Sequence, residues 1–166
     1  MKIIKPCIDG KMIDVNKFLD DSVLPSIFLA GPCPRENYDD DWRLEAFKIL
    51  EEIGYTGYVI TPTNSDYNKM EKANALMQQT LWEYDAMHKC NVIVFWIPRS
   101  EKHPARTTNI EFGEFHTNHN VFVGWPDGAI HNEYLECRLR IVNKSRYKDL
   151  KELLTMAVRK ANEYKL

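Results

Sequence analysis

The chain has 166 residues, of which 44% are hydrophobic and 28% charged, and its formal net charge is −2. The length suits one domain spanning 1–166 with a substantial core, and the near-neutral balance gives no electrostatic case for nucleic acid or an anionic membrane as partner. Four scattered cysteines, Cys7, Cys33, Cys90 and Cys137, form no CxxC pair, so they read as reduced thiols of a cytoplasmic protein rather than a metal or redox motif.

The opening "MKIIKPCIDG" lacks the apolar core of a signal peptide, and no apolar run approaches the roughly 20 residues of a membrane span. "KIIKPCIDGKMIDV" places an Asp-Gly pair between short apolar runs, which predicts a β-hairpin in an N-terminal extension over 1–25. "SIFLAGP" is a short apolar run closed by Gly-Pro, as expected of a strand buried on both faces. Trp42, Ala46, Ile49, Leu50 and Ile53 then recur at helical spacing, with Gly54 as the stop. "YTGYVITP" predicts a second strand. Ala73, Leu76, Met77, Leu81 and Tyr84 mark the apolar face of a second helix, and "NVIVFWIP" is the third and most apolar strand. "TNIEFGEFH" opens a third helix, "VFVGWP" is a fourth strand, and Tyr134, Leu135, Leu139 and Val142 suit a short helix. Leu150, Leu153, Leu154, Ala157, Val158 and Ala161 form an apolar stripe on the last helix.

This alternation predicts an α/β fold with a parallel sheet of four or five strands and helices on both faces. Such sheets bind ligands beyond the carboxyl ends of their strands. The loops at 31–37, 62–68, 98–109 and 125–132 are therefore the functional rim, and Glu111 lies just inside the helix that follows the third of them.

Glu111 carries two readings. Thr108 followed by Glu111 matches the S/T-x-x-E capping box, where a contribution of about 1 kcal/mol explains the residue fully. Alternatively, a carboxylate near a helix N-terminus is an anchored anion suited to covalent glycosyl transfer. Gly113 would allow close approach of substrate, or serve helix packing. Glu83 and Asp85 are either assisting acids or a solvated helix end. Asn64 and Asp66 would bond a base or ribose, or simply make a turn. Arg35, beside Gly31-Pro32, is a candidate phosphate ligand or an ordinary surface arginine; "AGPCPRE" lacks GK[ST] and is no P-loop. Trp82 and Trp96 read as packing residues. The five histidines show no metal-ligand spacing, and His116 faces solvent or a neighbouring helix.

"IFLAGP", the helix from Trp42, "WEYDAMHKCNVIVFWIP" and "TTNIEFG" occur in an order and spacing that resembles the nucleoside 2-deoxyribosyltransferase-like superfamily over roughly residues 26 to 135. The resemblance implies a flavodoxin-like parallel sheet. It implies cleavage of the N-glycosidic bond of a nucleoside or nucleotide, with retention, through a glycosyl-enzyme intermediate and without cofactor or metal. Glu111 maps onto the family's nucleophile, and Glu83 or Asp85 onto the acid that protonates the leaving base. Ala30, Gly31 and Pro32 map onto the loop at the sugar, Asn64 or Asp66 onto the base-holding loop, and Thr108 and Asn109 lie in the nucleophile's own motif. "HPARTT" has no acid where true transferases often carry an additional aspartate, which leaves hydrolysis beside base exchange. Family members imply a homodimer or higher homo-oligomer. A reading from a different class is a non-catalytic nucleotide-binding or sensor protein on the same fold.

Overall fold

The computed structural model describes residues 1–20, 23–34 and 37–164. Its main sheet has five parallel strands, β1 (Lys2–Ile4), β4 (Ser26–Ala30), β5 (Tyr58–Ile60), β6 (Val92–Trp96) and β7 (Val121–Gly124), in the order β1-β5-β4-β6-β7. The helices are the single turn α1 (Asn16–Leu19), then α2 (Arg43–Glu52), α3 (Ala75–Lys89), α4 (Arg106–Phe115), α5 (Glu133–Ile141) and α6 (Leu150–Asn162). The chain is thus the expected α/β protein with a flavodoxin-like sheet.

The continuous apolar runs are explained by burial on both faces. In β4, Phe28 and Ala30 point to one layer with Ile93 and Phe95 of β6, while Ile27 and Leu29 point to the other with Val92, Val94 and Trp96. Residues of α3, α4 and α5 cover the first layer, through Trp82, Ala86, Phe112, Phe115, Leu135 and Leu139. Residues of α2 and α6 cover the second, and every residue of the stripe expected on the last helix is buried there. Gly54, at φ 74°, closes α2 as expected: the Tyr55 and Gly54 N–H groups bond the Leu50 and Glu51 carbonyls, in the Schellman pattern.

Several elements depart from the sequence reading. The hairpin exists, but its arms are β2 (Cys7–Ile8) and β3 (Lys11–Met12), turning at Asp9 and Gly10, both at positive φ. Lys2–Ile4 is not an arm of it. Those residues pair with β5 in parallel and supply the sheet's fifth strand, so the N-terminus is in part integral to the sheet. Pro6 lies between the two pieces, and its missing N–H suits a break in strand pairing. The face assigned to the second helix is also wrong. Ala75, Trp82, Ala86 and Met87 turn inward, while Leu76, Met77, Leu81 and Tyr84 are exposed and Ala73 precedes the helix. The bulky Trp82 needs the interior more than the leucines do, and it sets the rotation of α3. On α5, Leu135 and Leu139 are buried but Tyr134 is exposed. No helix among the described residues is long and apolar enough to cross a membrane.

The chain steps from β4 outward to β5, then crosses back to β6 on the other side of β4. The strand order therefore reverses between β4 and β6, and a crevice opens beyond their carboxyl ends.

Candidate active site

Gly31 ends β4 at this crevice. Its φ is 149°, and a Cβ there would lie 2.2 Å from the Trp96 carbonyl oxygen, so only glycine lets the loop pass the end of β6. Beyond it lies a cleft of about 300 Å³, at the small end of the ligand-pocket range. Gly31, Pro32 and Cys33 form one wall, Gln79, Thr80 and Glu83 of α3 another, and residues 102–107 with Glu111 the third. A second cavity of about 230 Å³ adjoins it, sharing Cys33, Pro34, Pro62, Tyr67 and Gln79 and adding Tyr38, Asn64 and Asn68.

Glu111 is in the cleft because α4 starts earlier than a capping box requires. The helix begins at Arg106, with Ala105 in the left-handed region at its N-cap and no side-chain cap. Thr108 is the third helical residue and is buried. The Thr108-Glu111 capping box is therefore not formed, and Glu111 sits past the first turn, on the face toward α3.

Burial pushes the Glu111 carboxyl up to about 7, the nearby Glu83 charge adds to the rise, and Arg43 opposes it. Burial also raises Glu83, against a hydrogen bond from Gln79 and the Arg43 charge. Two carboxyl groups in one partly desolvated cleft resist being ionised together, so each favours a proton on the other.

Glu83 is held from below. Gln79, one turn earlier on α3, donates to Glu83 Oε1 at 2.8 Å and to the Pro62 carbonyl at 3.1 Å. Asn64 Nδ2 donates to Gln79 Oε1 at 2.9 Å, and the Cys7 thiol donates to Asn64 Oδ1 at 2.9 Å. A chain of hydrogen bonds thus runs from the N-terminal hairpin through the loop after β5 to the cleft carboxyl. Gln79 escaped the sequence reading, although its i, i+4 spacing to Glu83 placed both on one helix face.

The other expected residues divide. Gly31 and Pro32 line the cleft, while Ala30 is buried in β4. Asp85 is on a different face, beside Met12, Val15 and Trp82, because two residues along a helix turn a side chain by about 200°. Asp66 pairs with Lys69 at 2.9 Å and accepts the Asp9 N–H, so it anchors the hairpin rather than facing the cleft. Asn109 bonds Arg99, outside the cleft lining. Gly113 is exposed and outside the cleft lining, with no other part of the protein within 4 Å of the position of a Cβ. Arg35 lies outside the described residues. Trp82 and Trp96 are packing residues, as expected. His116 faces the neighbouring helix α5 rather than solvent: it is buried, stacks on Phe112 and accepts from Arg138.

A wider depression of about 470 Å³ lies beside Trp125, past the edge strand β7. Arg146 there pairs with Asp127 at 2.8 Å and with Glu136 at 3.4 Å, and the depression lies apart from Glu111 and Glu83.

A parallel sheet whose switch-point crevice holds a glycine loop and a T-x-x-E-x-G glutamate is the arrangement that the sequence resemblance implied. A family model described as nucleoside 2-deoxyribosyltransferase like matches residues 24–129, well over half of the chain. The chain belongs to the nucleoside 2-deoxyribosyltransferase-like family. No curated protein matches it. The matched segment contains β4 to β7, the cleft and both raised carboxyls, whereas β1, the hairpin, α5 and α6 lie outside it. Membership in the nucleoside 2-deoxyribosyltransferase-like family points to an enzyme with nucleoside deoxyribosyltransferase-like activity.

Proposed function

We propose that the protein cleaves or transfers the N-glycosidic bond of a (deoxy)nucleoside or nucleotide through a covalent glycosyl-Glu111 intermediate. The observation that carries this reading is the pair Glu111 and Glu83, two partly buried carboxyls of raised pKa in one cleft at the switch point. Ionised Glu111 attacks C1′ of the sugar. The bond to the base breaks with its electron pair going to the base nitrogen, which takes a proton from Glu83. Water, or a nitrogen of a second base, then attacks C1′. The ester bond to Glu111 breaks, its electrons return to the carboxylate, and Glu83 accepts the incoming proton. The working state has Glu111 charged and Glu83 protonated: the raised pKa of Glu83 fits the acid, while the rise of Glu111 to about 7 opposes its ionisation, so the charged form relies on Arg43 and on the positive charge that develops at C1′.

The test is incubation with a panel of ribo- and deoxynucleosides and their 5′-phosphates, with and without a second free base, alongside Glu111→Gln. Free base that the variant does not release is the expected result, and a new nucleoside identifies a transferase. Binding without turnover, unaffected by Glu111→Gln, would establish the non-catalytic sensor reading instead.

We also propose a homodimer. The exposed side chains Leu76, Met77, Leu81 and Tyr84 on α3 form an apolar stripe that reaches the cleft mouth at Leu76, and a second copy of the chain is the occupant that would cover it and narrow the opening.

A further inference from the structure

Arg43 has no exposed surface at all and does not line the cleft, yet its guanidinium bonds the end of β4 and the loop that does. Nε donates to the Leu29 carbonyl at 2.9 Å, Nη2 to the Gly31 carbonyl at 2.9 Å, and Nη1 to the Pro32 carbonyl at 3.1 Å. Nη1 also bonds Asp41 Oδ1 at 3.1 Å, and Thr63, in the loop after β5, donates to Asp41 Oδ2 at 2.5 Å. β5 ends its pairing with β4 at Phe28, so the Leu29 carbonyl that Arg43 takes is the first beyond that ladder.

We infer that Arg43 is a positioning residue of the active site: its guanidinium shapes the glycine loop from beneath, ties the loops after β4 and β5 together through Asp41 and Thr63, and places a buried positive charge behind the two cleft carboxyls. This rests on the proposed reaction for its catalytic consequence, though not for its structural part.

Two physical points support it. A trans peptide holds C=O and N–H on opposite sides, so turning the Pro32 carbonyl to Arg43 turns the Cys33 N–H away from the guanidinium, at a residue that forms the cleft wall. Arginine is suited to this because its planar fork presents five donors in fixed directions, whereas an ammonium group is a compact point donor. The charge acts too. Among the groups around Glu111, the Glu83 charge of α3 and the Glu114 charge of α4 push its carboxyl up, and Arg43 of α2 pulls it down. Arg43 likewise pulls down Glu83. Among the described residues, Tyr67, Lys102, His103, Arg106 and the Cys33 thiol complete the cleft's titratable lining.

The experiment separates the fork from the charge. Arg43→Lys keeps a charge and an aliphatic stem but loses the fork, and Arg43→Gln loses both. Turnover would be followed together with the titration of Glu111, read by carboxyl NMR on protein labelled at glutamate, which needs no substrate. Arg43→Lys is expected to lower kcat about 100-fold, the scale of a small misplacement at a reacting centre, with the Glu111 midpoint nearly unchanged. Arg43→Gln is expected to raise that midpoint by about one unit and to move the acid limb of the rate profile with it. If Arg43→Gln does not fold, Arg43→Lys and Asp41→Asn decide, since Asp41→Asn takes the counter-charge from Arg43 and leaves Thr63 only a neutral amide, and is expected to lower kcat while sparing the core. Folded Arg43→Lys and Asp41→Asn with kcat within about threefold of the parent, or folded Arg43→Gln with an unmoved Glu111 midpoint, would overturn the inference. A wild-type protein that turns nothing over while its Glu111 midpoint still responds to Arg43→Gln would sink the proposed reaction and leave the electrostatic role of Arg43 standing.

Discussion

At the residue scale, the raised pKa of Glu111 is also a statement about stability. Its ordinary value is 4.5 and burial takes it to about 7. Between those values the native state binds more protons than the unfolded one, so this group's contribution falls as pH rises from about 4.5 to about 7 and stays low above that. Glu111→Gln removes the cost. It is expected to stabilise the protein at pH 8 by about 1–3 kcal/mol, the upper end being the whole shift converted without allowance for solvent, and to change little at pH 4. Parallel denaturant titrations at the two pH values measure this. Because the Glu83 charge raises Glu111, Glu83→Gln is expected to lower the Glu111 midpoint read by carboxyl NMR while slowing base release. A midpoint that stays in place would break the coupling between the two carboxyls. Glu111 was visible in the sequence because T-x-x-E-x-G follows an apolar strand ending in "WIP". Arg43 was not, since an arginine in the first turn of an amphipathic helix carries no mark of burial, and only the carbonyls that converge on it in space show its role.

At the element scale, β4 and its loop tolerate the least. In Gly31→Ala the new Cβ meets the backbone oxygen of Trp96, which no side-chain rotation relieves. The ends of β4 and β6 would have to part, costing on the order of 1–3 kcal/mol and spoiling the crevice. A thermal melt with a turnover assay tests this, and unchanged values for both would contradict the close packing. The last helix matters as much, although it lies outside the family match. Leu153 and Leu154 are fully buried against the sheet layer of Ile27, Leu29, Val92 and Val94. Leu153→Ala is expected to cost about 2–5 kcal/mol, measured by chemical unfolding. The α6 stripe was legible because its six apolar residues repeat at helical period with polar neighbours between them. The face of α3 was not, because apolar residues lie on both its inner and outer sides, and periodicity cannot say which side meets the sheet.

At the scale of the whole molecule, the misassigned face of α3 becomes informative. Leu76 and Met77 are 72% and 64% exposed, and with Leu81 and Tyr84 they make a patch that the monomer does not use. Sedimentation velocity is expected to give the mass of a dimer, with Leu81→Lys shifting it to the monomer while leaving the fold intact. A monomeric wild type would remove the proposed dimer.

The alternation of strands and helices, the double burial of β4 and β6, the rim of loops and the candidacy of Glu111 are legible in the linear order of residues. These follow from local pattern, which burial and backbone geometry impose on neighbouring residues. Tertiary structure decided that Lys2–Ile4 closes the sheet as its fifth strand, that Glu83 rather than Asp85 shares the cleft, that Glu111 is no helix cap, and that Gln79 and Arg43 support the site from beneath. Each of these depends on contacts between segments far apart in the chain. The 200° between two helix neighbours, or the carbonyl that a buried guanidinium reaches, has meaning only once the sheet has set where each element lies.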